Sequence, residues 1–203
     1  MNVIGIDPGS GGALAVYDYA AQKIIHIEDM PIFNMTINKK TRKRIDAIGV
    51  LEFLATWQMA GCKLVMIEAV GGRPRQGASA AFVFGYGVGL IYMACVALRL
   101  PIETVPPQTW KRVLRVPGKA EKGDKKTKEF NGMIVNRADE LMPEARDLWR
   151  GAKKHRGQDV FKVDRAEAAM LAKYCGDYQL RIPTRPFLAV DTALAYQQAS
   201  IEA

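Results

Sequence analysis

Val3-Ile4-Gly5-Ile6-Asp7-Pro8-Gly9-Ser10-Gly11-Gly12-Ala13-Leu14-Ala15-Val16-Tyr17-Asp18 is the stretch from which the fold is read. An apolar run ends in a carboxylate, Pro-Gly-Ser-Gly-Gly follows as turn chemistry, and a second strand-like run resumes, which predicts a β-hairpin. Asp7 then stands at the end of the inner strand, beside glycines that bring backbone N–H groups close to whatever binds. A strand-held carboxylate in that setting suits a hard divalent cation or a phosphate neighbour. Turn formation alone also accounts for Asp7-Pro8-Gly9.

Working outward, Lys23 to Glu28 is expected as a third strand, closed by Met30-Pro31-Ile32-Phe33 and followed by a polar, basic loop. Asp46 is placed to cap a helix running to Met59, with Ile48, Leu51, Phe53, Leu54 and Trp57 at helical spacing and Gly61 ending it. Lys63 to Glu68 is another apolar run ending in an acid. If the intervening helix is a crossover, the strands ending at Asp7 and Glu68 lie parallel, and both carboxylates reach the same end of the sheet. Open α/β sheets place their sites at that end.

Ala78 to Leu98 contains no charged residue and approaches the length of a membrane span. Gly85, Gly87 and Gly89, in an otherwise basic chain, favour a helix packed on the sheet and no membrane partner. Pro101 to Val105 reads as a fourth core strand, then Gln108 to Leu114 as a short helix carrying Lys111 and Arg112. A Lys- and Gly-rich loop leads to a helix over 126–141. Asp164 and Glu167, on a helix opening at Val163, share one face, although the same spacing is that of a capping box. Ala168, Ala169 and Ala172 leave that helix slim enough to lie close on the sheet. The chain divides into a main α/β domain at 1–175 and a tail or peripheral helix at 176–203.

The 203 residues carry a formal net charge of +8, with Lys+Arg 29 against Asp+Glu 21. The cations gather in clusters: Lys39 to Arg44, Arg73 with Arg75, Lys111-Arg112, Lys119 to Lys128, and Lys153 to Arg156. Such clustering suits a polyanion better than a merely solvated face. Cys62, Cys95 and Cys175 lie apart without metal-ligand spacing, as buried thiols in a reducing, intracellular setting. The chain opens directly on a strand, without a signal peptide, and a cytoplasmic location is expected.

Gly5-Ile6-Asp7-Pro8-Gly9-Ser10, Ile67-Glu68, Val105-Pro106-Pro107-Gln108-Thr109-Trp110-Lys111 and Asp164-Arg165-Ala166-Glu167-Ala168, in that order, resemble the RuvC family of Holliday-junction resolvases of the RNase H-like superfamily. The resemblance runs from about Met1 to Tyr174. It implies an α/β fold with an RNase H-like mixed sheet, three antiparallel strands followed by parallel ones, flanked by helices. It also implies a homodimeric endonuclease that resolves four-way-junction or branched DNA. Asp7, Glu68, Asp164 and Glu167 would be catalytic metal ligands for two Mg²⁺ (or Mn²⁺) ions, which would offset the repulsion among four acids. Arg73, Arg75, Lys111, Arg112, Lys119, Lys122, Lys125 and Lys126 would hold DNA phosphates. A less selective nuclease on branched DNA or RNA–DNA hybrids, or a non-catalytic nucleic-acid binder, would use the same fold.

Two departures from the family pattern stand out. Glu167 replaces the usual Asp, which lengthens the last ligand by a methylene. Gly71, Gly72 and Arg73 stand where an aromatic wedge is usual, leaving that role to arginine or to Phe82. The basic insertion and the tail mark a divergent branch of viral or phage type.

Overall fold

The computed structural model describes residues 1–37, 39–71, 77–117, 124–150 and 161–178. Its main sheet has the order β3-β2-β1-β6-β7, built from β1 (Asn2–Ile6), β2 (Ala13–Asp18), β3 (Lys23–Asp29), β6 (Cys62–Glu68) and β7 (Ile102–Val105). β1 pairs antiparallel with β2 and parallel with β6; β2–β3 is antiparallel and β6–β7 parallel. This is the mixed α/β sheet that the sequence predicts. Helices α1 (Ala47–Met59), α2 (Ala78–Ala97), α3 (Pro107–Val113), α4 (Asp124–Leu141) and α5 (Val163–Asp177) complete it, with β4 (Ile32–Ile37), β5 (Lys40–Ile45) and a 3-10 helix at Pro143–Leu148.

Strand alternation separates two cores. Val3, Ala15, Tyr17, Leu64 and Met66 face α4, α5, Trp110 and Trp149, whereas Ile4, Ile6, Val16, Val65 and Ile67 face α1 and α2. β1 is buried on both faces, which explains its unbroken apolar run.

Close approach of α5 to β1 depends on Gly5. A Cβ there would lie 2.3 Å from the Ala172 backbone nitrogen and 2.5 Å from the Ala168 carbonyl oxygen. Ala166, Ala168, Ala169 and Ala172 are all buried along the helix. Further down, Tyr17 Oη donates to Asp177 at 3.0 Å and accepts from Lys173 at 3.2 Å, which ties the end of α5 to β2.

Asp46 caps α1 as expected, accepting from the Ile48 N–H at 3.0 Å. Its inward face differs from the expected one: Val50, Phe53 and Leu54 are buried, while Ile48 and Leu51 are exposed. The sheet selects one narrow stripe from a helix that is apolar nearly all round. α2 is also packed on one side only. Gly87, Ile91, Ala94 and Cys95 are buried, as expected of a helix packed on the sheet, but Phe82, Tyr86 and Met93 on its other side are exposed. By length and composition α2 is the one described helix that meets the requirement for a membrane span.

The expected polar loop after β3 is instead a β-hairpin, β4–β5, paired from Ile32↔Ile45 to Ile37↔Lys40. Ile45 anchors it on Gly87 of α2, where a Cβ would come within 2.8 Å of the isoleucine side chain. The three cysteines are free and buried, and burial pushes the Cys62 and Cys95 thiols up to about 11 and about 12.

Candidate active site

Asp7 follows β1 directly, its N–H bonded to the Ala13 carbonyl at 3.0 Å across the turn. Gly12 makes that turn possible, because a Cβ there would lie 2.1 Å from the Asp7 carbonyl oxygen. Glu68 ends β6, and the parallel register Ile6↔Ile67 delivers it beside Asp7 at one end of the sheet.

The other two acids come from α5, whose start is held by neighbouring charges. Asp29, at the end of β3, accepts from Arg165 at 2.5 Å and from Lys162 at 3.0 Å, and Arg165 also donates to the Leu148 carbonyl. The residue before α5 is Lys162, and no side chain caps the helix. Asp164 and Glu167 are therefore not the capping box that their spacing also allows. One carboxylate oxygen each from Asp7, Asp164 and Glu167 lie within 4.8 Å of one another.

Glu68 lies outside that triplet but is electrostatically part of it. Burial chiefly, then Glu68, Asp164 and Glu167 in that order, push the Asp7 carboxyl up to about 7. Asp164 is also raised, by burial and by Glu167. Four acids converge because β1 and β6 are parallel neighbours and α5 lies on Gly5. All four line one cleft of about 600 Å³, together with Gly9, Gly12 and Gln108.

α3 supplies the polar support. Trp110 Nε1 donates to Glu68 at 3.0 Å, and Lys111 Nζ donates to Glu167 at 2.5 Å. The Trp110 role was not read from the sequence, although a Trp beside a cation in Gln108-Thr109-Trp110-Lys111 is a signal that could have suggested it. Lys111 lies inside the cleft, whereas Arg112 is exposed on the same helix. Lys125 and Lys126 fall in the first turns of α4 with side chains outside the described residues. Arg73, Arg75, Lys119 and Lys122 also lie outside them.

The donor set fits a divalent cation. It is all carboxylate oxygen, without thiol or imidazole, and the strain on Asp7 is what a positive charge would relieve.

No family model matches the sequence, and no curated protein matches it. Among solved structures, Thermus thermophilus RuvC in complex with Holliday junction substrate aligns at 18% identity and a TM-score of 0.52, over 86% of this chain and 94% of that one. A second Thermus thermophilus RuvC structure aligns at 19% identity and a TM-score of 0.52, over 86% and 95% of the two chains. The order of strands around β1 and the helices on both faces are thus those of the RuvC type of RNase H-like fold.

Proposed function

We propose that this chain is a structure-selective endonuclease that hydrolyses phosphodiesters in four-way-junction or branched DNA with divalent metal ions. The observation that carries the reading is the meeting of Asp7, Asp164 and Glu167 within 4.8 Å, with Glu68 on the adjacent strand. Support for the substrate comes from the fold shared with a RuvC structure that holds a Holliday junction, and from the net charge of +8.

In this reading Asp7, Glu68, Asp164 and Glu167 hold two ions, Mg²⁺ or Mn²⁺, as the hard donor set favours. Two such ions supply activation of water and neutralisation of charge on the leaving 3′-oxygen. The residues themselves do the positioning. Asp7 is fixed by the turn, Glu68 by the Trp110 indole, and Glu167 by Lys111. Lys111 has three N–H donors, of which Glu167 engages one, so the same ammonium group can hold a phosphate oxygen in the cleft. Arg112, Arg73, Arg75, Lys119, Lys122, Lys125 and Lys126 complete the phosphate contacts.

A four-way junction has near two-fold symmetry, and paired cuts need two sites related by a dyad, so the chain acts as a homodimer. The exposed Phe82, Tyr86 and Met93 support α2 as the face on which the two copies meet.

The test is cleavage of a synthetic four-way junction in Mg²⁺. Wild-type chain should cut it, and Asp7→Asn and Glu68→Gln should each lose at least about 100-fold, the upper end of what losing an outer-shell partner costs a metal site. Wild-type chain that leaves the junction intact in both Mg²⁺ and Mn²⁺ would remove the proposal. Equal cutting of an RNA–DNA hybrid would assign the less selective activity instead.

A further inference from the structure

The β4–β5 hairpin carries Lys39, Lys40, Arg42, Lys43 and Arg44, and no acid between Ile32 and Ile45. Its register sorts these residues: Arg44 stands opposite Phe33 and Arg42 opposite Met35 on one face, while Lys43 stands opposite Asn34 on the other. Arg42 and Lys43 are exposed and Arg44 is half-buried. Among the described residues none of the three pairs with a carboxylate; Arg44 donates only to the Lys43 carbonyl, at 3.1 Å. Phe33 and Met35 are also exposed, at 44% and 38%. A hairpin that served only to solubilise this edge would have no use for apolar side chains between its arginines.

The surroundings say what the cations face. A groove of about 400 Å³ runs between β5 and the first half of α2, lined by Arg42, Lys43, Arg44 and Val83, with Pro8 and Ser10 of the first turn. Phe84 lines both this groove and the acidic cleft, and Pro8 and Ser10 alternate with the cleft residues Asp7 and Gly9. The two therefore adjoin across a single turn. One is lined by four acids, the other by three cations and no acid. A strand rises ~3.3 Å per residue, and each DNA strand carries a charge every ~3.4 Å along the helix axis, so Arg42 to Arg44 span about the rise of two nucleotides.

We propose that β5 is a second nucleic-acid contact, in which Arg42, Lys43 and Arg44 hold phosphates of the DNA arm that leaves the catalytic cleft across Pro8 and Ser10. Phe33 and Met35, exposed beside Arg44 and Arg42, give the sugars of that backbone an apolar surface. The proposal rests on the nuclease reading only for the identity of the DNA.

The experiment measures binding of a labelled four-way junction without divalent metal, from about 50 to about 200 mM salt. The full chain is compared with Arg42→Gln/Lys43→Gln/Arg44→Gln and with Arg42→Lys/Arg44→Lys. Three lost phosphate contacts should reduce the slope of log affinity against log salt by about 2 to 3, whereas the lysine variant should keep the wild-type slope. Hydroxyl-radical protection should disappear from one segment of arm and remain at the crossover. Should the triple variant fail to fold by circular dichroism, Arg42→Gln and Lys43→Gln alone should each lower the slope by about 0.9. A slope unchanged in the glutamine variants, or no binding by wild-type chain, overturns the contact. Junction bound with the expected slopes but left uncut in Mg²⁺ would remove the nuclease reading and keep the contact. Junction cut by wild-type chain, with the slope unmoved in the variants, would do the reverse.

Discussion

Asp7 holds its proton to about pH 7 in the folded chain, against 3.8 as its ordinary value. Between those values the native state binds more protons than the unfolded state, so rising pH drains stability, on the order of 4 kcal/mol once Asp7 is ionised. Asp164 is shifted the same way, whereas Asp29, held low by Arg165 first and then by Lys162, contributes in the opposite sense and loses its contribution as pH falls. Comparing variants isolates Asp7. The melting temperature of metal-free Asp7→Asn minus that of wild type should be near zero at about pH 4 and clearly positive at about pH 8. Mg²⁺ at the higher pH should raise wild type more than the variant. An Asp7→Asn chain that melts at or below wild type at the higher pH, with chelator present, would contradict the electrostatic account of the site. Glu167 gives a sharper contrast, since it caps nothing: Glu167→Ala should abolish junction cleavage while leaving the helix content near wild type by circular dichroism.

At the scale of elements, the site depends on how α5 lies on β1. Gly5→Ala puts a methyl group against backbone atoms of Ala172 and Ala168, which have no rotamer to change, so the helix must move. Overpacking of this kind costs about 1–3 kcal/mol or more, and the shift carries Asp164 and Glu167 away from Asp7. Gly5→Ala should therefore lose more cleavage activity than its change in melting temperature explains; full activity at an unchanged melting temperature would mean that the contact is soft. Much of this was legible in the sequence. Apolar runs ending in Asp7 and Glu68, with a helix between them, point to parallel strands and a shared end of the sheet, and the small residues of α5 announce close packing. Other features were not legible. Spacing alone does not separate a capping box from two ligands on one helix face, because both need an acid pair three residues apart. The β4–β5 hairpin was hidden because a basic run reads as loop, and the contact of Ile45 with Gly87 that anchors it joins residues far apart in the chain. The inward face of α1 was blurred because apolar residues surround that helix, and the sheet alone decides which are covered.

For the molecule as a whole, α2 poses the remaining question of surface. Phe82, Tyr86, Gly89 and Met93 follow one another at helical spacing on the side away from the buried Gly87, Ile91, Ala94 and Cys95. Phe82 is 74% exposed, Met93 62% and Tyr86 58%, and the two rings stack with centroids 6.5 Å apart. Soluble monomers seldom leave a contiguous apolar stripe of this kind uncovered, and an exposed glycine within it lets a second helix approach closely. A dyad through this face would set two acidic clefts on one assembly, as paired incision of a junction requires. A stable interface buries ~800 Å² on each partner, to which two aromatic side chains of at least ~150 Å² each make a large contribution. Sedimentation equilibrium should therefore find a dimer of the wild-type chain, and Phe82→Glu/Tyr86→Glu should shift it to monomer by placing like charges across the axis. The same variant should convert paired cleavage into single nicks, scored on a cruciform plasmid as open circles in place of linear product. Wild-type chain that sediments as a monomer at assay concentration while still linearising the plasmid would separate paired incision from this face of α2.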